Sequence, residues 1–267
     1  MILEVLFKML ELLVSPKQAK RSPWLLAAIA FVFVTAGVVV SIMVPVIKGA
    51  EIVFAMVPAI PLIWALIVRE EKKEEEHVKL LEKSSFAYHL PLLEVFAFFF
   101  LGATVAYSFW YTILPAAQSQ AIFSTQLQEI KNIGLTVGKA IDVGFAEKLF
   151  QHNAVVLGFM LVFSLVYGIG SVYLLLWNAS IIGVFIGSKL QAGGLNALAA
   201  GVIGIFPHGV FELGAYFVAT IAGGILSTAI MHKHVNKPAF KIILSDVLTL
   251  LVVSVVMLAV AAVLEAT

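Results

Sequence analysis

Two things are scarce in this sequence of 267 residues: cysteine is absent altogether, and charged residues make up only 12%. Without cysteine there are no disulfides, no thiolate metal sites and no thiol nucleophile, although a cysteine-free chain suits a reducing or an oxidising compartment equally. The shortage of charge excludes more. A soluble domain carries roughly 25% charged residues, and a disordered one depends on charge still more heavily. An excess of one sign is missing too, because 17 Lys and Arg stand against 16 Asp and Glu for a net +1. No basic stripe is available to meet a phosphate backbone, which argues against nucleic-acid binding. What fills the space is apolar: 61% of the residues are hydrophobic, against about 45–50% in soluble proteins. Such a chain cannot cover a water-facing surface and belongs in a bilayer.

Crossing roughly 30 Å of hydrocarbon takes about 20 mainly apolar residues in a helix. Trp24 to Ile47 supplies the first run, and Ile52 to Val68, with Pro58 and Pro61, a shorter second one that must kink or tilt. The charge run Arg69 to Glu76 (REEKKEEE) ends insertion, and its Glu and Lys at i,i+3 and i,i+4 suit a solvated helix extension. Leu90 to Tyr111 is the third expected span, with Pro91 in its first turn, where the missing N–H is harmless. Ala154 to Trp177 reads as the fourth and Ile242 to Leu264 as the last. Between these two, residues 178–231 are apolar but interrupted by Gly193-Gly194, Asn196, Pro207-His208-Gly209 and Gly223-Gly224, as expected of broken or re-entrant helices.

Two stretches are amphipathic. Residues 1–14 (MILEVLFKMLELLV) align Glu4, Lys8 and Glu11 on one side of an apolar helix, an interfacial pattern. Residues 115–150 mix Glu129, Lys131, Lys139, Asp142, Glu147 and Lys148 with Ile, Leu and Phe, which predicts helices lying on the membrane surface. Positive charges orient the whole. With the N-terminus cytoplasmic, Lys17, Lys20 and Arg21, then Arg69 to Lys83, then Lys233, Lys237 and Lys241 all fall inside, provided that 178–231 crosses an even number of times. Lys48, Lys131, Lys139 and Lys148 fall outside, as does the C-terminus. The expectation is an all-α polytopic integral membrane protein with about six to seven membrane segments, in one membrane domain of the cell membrane. Within 1–267, residues 1–22 form an interfacial helix, 24–111 three spans, 112–152 an extracytoplasmic amphipathic segment, and 153–264 a core with broken helices.

A charge at mid-membrane costs roughly 2.5–3.5 kcal/mol on insertion scales, so each one needs a reason. Glu94 sits in the first turns of a span, where the helix dipole and interfacial water favour a carboxylate. Asp246 lies close enough to Lys241 to snorkel or pair with a loop lysine, and Asn153 suits an N-cap. His208 and Glu212 stand out. They share a face one turn apart, and Ala215, Ala219 and Gly223 continue that face, with the small-residue spacing that lets transmembrane helices approach closely. Pro207 and Gly209 bracket the histidine and predict a helix break there. Asn178 is a further polar side chain in this region, and Gly183 and Gly187 form a GxxxG suited to helix packing. One His and one Glu are too few ligands for zinc, and no HExxH is present, so neither a bound metal nor a cofactor is expected.

The stretch Phe206-Pro207-His208-Gly209-Val210-Phe211-Glu212, with Ala215, Ala219 and Gly223-Gly224 behind it, resembles the stage II sporulation protein M family. That family marks the start of a transmembrane helix with Pro-His-Gly-x-x-Glu, preceded by an apolar helix that ends in an asparagine- and glycine-rich turn. Leu176 to Gly183, with Asn178, looks like that turn, although Ala179 stands where glycine is commoner and Gly214 where proline often occurs. The likeness is good over 150–231 and elsewhere rests on hydropathy. It implies a membrane partner of other proteins, as the sporulation member is for peptidoglycan-degrading proteins. It also maps the family motif onto His208 and Glu212.

Three readings stay open at this point. The first is a non-enzymatic membrane component that scaffolds or gates an extracytoplasmic or membrane protein, or a second copy of itself, with 115–150 as docking surface. The second is a transporter or channel for a small solute, proton or metal ion, built on broken helices and the His208/Glu212 pair. The third, an intramembrane metal-dependent hydrolase, has too few ligands behind it.

Overall fold

A computed structural model describes residues 22–44, 49–81, 89–133, 143–167, 171–231 and 239–265. The amphipathic stretch 1–14, the basic residues Lys17 to Arg21, and Lys233 and Lys237 lie outside the described residues. Every described element is helical. In chain order they are α1 (Pro23–Met43), α2 (Ala50–Leu81), α3 (Leu90–Ile113), α4 (Ala116–Ile122), α5 (Ser124–Ile133), α6 (Val143–Tyr167), α7 (Ser171–Met231) and α8 (Ala239–Glu265). Five segments are long and apolar enough to cross a membrane: Pro23–Met43, Leu90–Ile113, Val172–Ala199, Pro207–Ser227 and Phe240–Glu265. Ala50–Ile63 and Phe150–Leu165 are shorter apolar helices beside them. The protein is an all-α polytopic membrane protein.

α1 shows how these sequences choose their inner face. Leu26, Ala30, Phe33, Val34, Gly37, Val38 and Ser41 recur at helical spacing and are buried, while Trp24, Val32 and Met43 on the other side are exposed. Both faces are apolar, so water does not sort them. The small residues do: Gly37 lies against the backbone of Glu51 and Ala55 in α2, and Gly102 of α3 against the backbone of Ala27. Helices in lipid associate through such close approach, because lipid tails are as apolar as leucine.

Contacts between helices give their directions. Ala27 meets Gly102 and Thr35 accepts a hydrogen bond from Trp110 Nε1, so α1 and α3 run parallel. Gly183 packs on Thr104 and Tyr107, Gly187 on Ser108 and Tyr111, and Gln191 donates to the carbonyls of Tyr111 and Leu114. The first arm of α7 therefore runs parallel to α3 as well. Further on, Phe217 stacks against Phe96 and Phe100, back toward the start of α3. The chain has reversed between these points, at Gly194, whose φ of 63° and ψ of −150° depart from the helix. A residue with a Cβ rarely adopts that conformation. The second arm is followed in parallel by α6, since Gly223 meets Ser164 and Ser227 donates to the Leu165 carbonyl. α8 runs antiparallel to it, with Gly214 against Met257 and His208 beside Glu265.

These directions correct three expectations. Ala154 to Trp177 is not one span: α6 ends at Tyr167 and α7 starts at Ser171, running the opposite way. Its apolar character is continuous across the reversal, so hydropathy alone merges the two helices. The break expected at Pro207 and Gly209 also moves. Within α7 only Gly194 is non-helical, and the helix runs on through Pro207. Proline removes one N–H donor, a loss that transmembrane helices tolerate when neighbours resatisfy the backbone. The turn expected around Asn178 is helix too, because Asn178 lies within the first arm and donates to the Leu174 carbonyl at 2.8 Å.

The segment after α3 differs from a helix pair lying flat on the surface. α4 and α5 fold back over the bundle, and Phe123 between them inserts its ring against those of Tyr107 and Tyr111. Tyr107 is about 9 Å of helix below the end of α3 at Ile113. The amphipathic pattern is therefore used against protein: Ser119, Phe123 and Gln126 are buried, and Gln120, Gln128 and Asn132 face outward.

Candidate functional site

The second arm of α7 carries the residues singled out by the sequence. His208 and Glu212 do share a face, and Tyr216 follows one turn further along it. Their partners come from three directions. Glu212 Oε1 accepts a hydrogen bond from the Tyr216 hydroxyl at 3.1 Å. The side chain of Asn153 in α6 lies within reach of its carboxylate. His208 Nε2 lies 4.0 Å from Glu265 Oε1, at the end of α8. The result is a polar node joining α6, α7 and α8 at the end of the bundle where α3 terminates. Below it, Ala215, Ala219 and Gly223 are buried, and a Cβ on Gly223 would sit 2.5 Å from Ser164 Cβ of α6.

Asn178 is not one of this node's partners, being bonded to its own helix in the other arm. Gly183 and Gly187 belong to the α3 contact, where a Cβ on Gly183 would lie 2.6 Å from the Thr104 carbonyl oxygen. Pro207 is exposed and Gly209 buried beside His208. Among the described residues no group of three or more His, Cys, Asp and Glu is arranged to hold a metal ion.

Three members of the node escaped the sequence reading. Tyr216 had a usable signal, since 208, 212 and 216 step evenly by four. Asn153 resembled an N-cap because an apolar run follows it, but α6 begins at Val143, which puts Asn153 inside the helix and buries it. Glu265 had no local signal, as only the antiparallel docking of α8 brings it to His208.

A second node holds a less exposed carboxylate. Glu51, in the first turn of α2, is 1% exposed, and its Oε1 accepts a hydrogen bond from Gln126 Nε2 of α5 at 2.8 Å. The same amide nitrogen lies 3.2 Å from Ser180 Oγ of α7. Tyr107 of α3 is fully buried within electrostatic reach of Glu51. At the opposite end of the bundle His89 Nε2 lies 3.0 Å from Asp246 Oδ2, tying the start of α3 to α8. Asp246 thus meets a histidine rather than snorkelling to the surface.

The family described as stage II sporulation protein M matches residues 95–267, from early α3 to the C-terminus. The chain belongs to that family. The match takes in the His208/Glu212 node whole, with Asn153, Tyr216 and Glu265. Of the second node, the family region includes Tyr107, Gln126 and Ser180, whereas Glu51 and all of α1 and α2 precede it. No curated protein and no solved structure matches the chain.

Proposed function

We propose that the protein is a non-enzymatic component of the cell membrane that holds a protein partner at the end of the bundle carrying α4 and α5. The observation that carries this reading is how the intramembrane polar groups are used. His208 and Glu212 each meet a group on a neighbouring helix, Glu265 and Asn153 respectively. Polar side chains spent in this way act as interhelical glue. The node then stiffens the platform from which α4 and α5 present their outward polar residues. With the N-terminus cytoplasmic, as the loop charges suggest, that platform is extracytoplasmic. The family resemblance, with its membrane partner of extracytoplasmic proteins, agrees with this. Crosslinking in native membranes followed by affinity isolation should recover a partner, and a charge reversal at half-buried Glu129 or exposed Lys131 should reduce its yield. Recovery of nothing beyond the chain itself would sink the proposal.

Transport is the second reading, supported by the reversal at Gly194 between two membrane-length arms and by the carboxylates inside the bundle. It predicts flux in liposomes that is lost in Glu212→Gln. Purified protein that carries no flux above empty vesicles would remove it.

A further inference from the structure

The node around Glu51 is built unlike a helix tie. A carboxylate removed from water needs a compensating positive charge or a proton, since ionised groups are far too costly to bury alone. Among the described residues the groups around Glu51 are neutral: Gln126 of α5, Ser180 of α7 and Tyr107 of α3, with Tyr173 of α7 also in electrostatic reach of Tyr107. Two buried oxygens of α3 have no hydrogen-bond partner, the Tyr107 hydroxyl, which is in electrostatic reach of Glu51, and Thr104 Oγ1 one turn before it. Leaving such groups unpaired costs about 1–3 kcal/mol each. The backbone carbonyl of Thr104 and Cβ of Tyr107 lie against Gly183, whose missing side chain lets this part of α7 approach α3. Ser124 Oγ, beside the inserted Phe123, is buried and unpartnered as well.

The donors are thus oxygens around a single negative charge, the set that suits a hard cation. Charge selects the valence. One carboxylate neutralises one monovalent ion, whereas a divalent ion would leave a net positive charge buried and would call for a second carboxylate. We propose that Glu51, Ser180 and Tyr107 form a binding site for one small monovalent cation, H⁺ or an alkali-metal ion of sodium's size, covered by Phe123 and by Gln126 of α5. The site goes beyond the partner-holding role and stands or falls independently of it. Its occupant links the charge at Glu51 to the seating of α4 and α5, because a neutralised Glu51 tolerates the dry position that the cover creates.

The test uses the full chain purified in detergent. Thermal unfolding is followed in sodium, lithium, potassium and choline chloride at constant ionic strength, over a pH series. An alkali-ion site gives a saturable rise in Tm with sodium or lithium over choline, weakening as protons compete at lower pH. A proton site gives a Tm that depends on pH and not on the alkali ion. Glu51→Gln abolishes the alkali-ion response, or removes from the pH response the part that Glu51 adds to those of Glu212, Glu265, His208 and the His89–Asp246 pair. Tyr107→Phe, which keeps the ring packed on Phe123, weakens apparent affinity about fivefold, as loss of one hydrogen bond of about 1 kcal/mol does. Hydrogen exchange of residues 116–133 in the unsubstituted protein reads the cover directly and should slow when the cation is present. Identical cation and pH responses in the unsubstituted chain and Glu51→Gln overturn the site. If Glu51→Gln does not fold, a Tyr107→Phe response equal to that of the unsubstituted chain, with unchanged exchange at 116–133, overturns it equally.

Discussion

The two polar nodes at this end of the bundle place a carboxylate between helices by different means. Glu212 is shared between Tyr216, one turn along its own helix, and Asn153 across one interface, and nearby Glu265 is still 16% exposed. Glu51 is 1% exposed, and the group that holds it, Gln126, descends from a short helix closing over it. The first node lies where helices meet; the second exists because a lid covers it. A carboxylate in the middle of an apolar run announces itself, whereas one at the beginning of a run passes for a loop residue. Burial depth is a property of what lies above a residue, which its neighbours in sequence do not encode.

If that contrast is right, the cost of losing a polar partner rises as solvent exposure falls. Gln126→Leu should be the most damaging of these substitutions, about 2 kcal/mol, because it strips Glu51 of its donor inside the bundle. Unfolding in detergent checks this, and a loss no larger than that at the other node would break the comparison. Asn153→Ala should cost about 1 kcal/mol, as interhelical hydrogen bonds in bilayers do. His208→Ala should cost about 0.5 kcal/mol by the same measurement, because its contact with Glu265 is long and partly exposed. Combining His208→Ala with Glu212→Gln sharpens the point further. Glu265, the partner of His208, is also in electrostatic reach of Glu212, so the two effects should depart from additivity by about 0.5 kcal/mol or more. Strict additivity would mean that the two residues act separately after all. Asn178→Ala should be the mildest, below about 0.5 kcal/mol, since its bond stays within one turn of its own helix.

Much of this fold was legible from residue types in order. Pro91 marked the start of α3, the charge run from Arg69 rode on the extension of α2, and the apolar runs gave the membrane helices. The face bearing His208 and Glu212 followed from helical periodicity. Periodicity failed where it could not report direction. The reversal between α6 and α7 falls inside an apolar run, and Gly194 was one glycine among several candidates while Pro207 drew the attention. Residues 116–133 were readable as amphipathic, but an apolar stripe does not say whether it faces lipid or protein.

The sequence by itself determined that the chain enters a bilayer, that it does so as helices, and that Glu212 with His208 would be conspicuous there. Hydropathy and helical period are properties of consecutive residues, and those questions have local answers. Only the tertiary structure decided which way each helix runs, that Asn153 and Glu265 come to the His208 face, and that Glu51 is the least exposed of these carboxylates. Gln126 reaches Glu51 across 75 residues of chain. A contact of that span depends on the close approach that Gly102, Gly183 and Gly187 permit around α3, and no window along the sequence contains it.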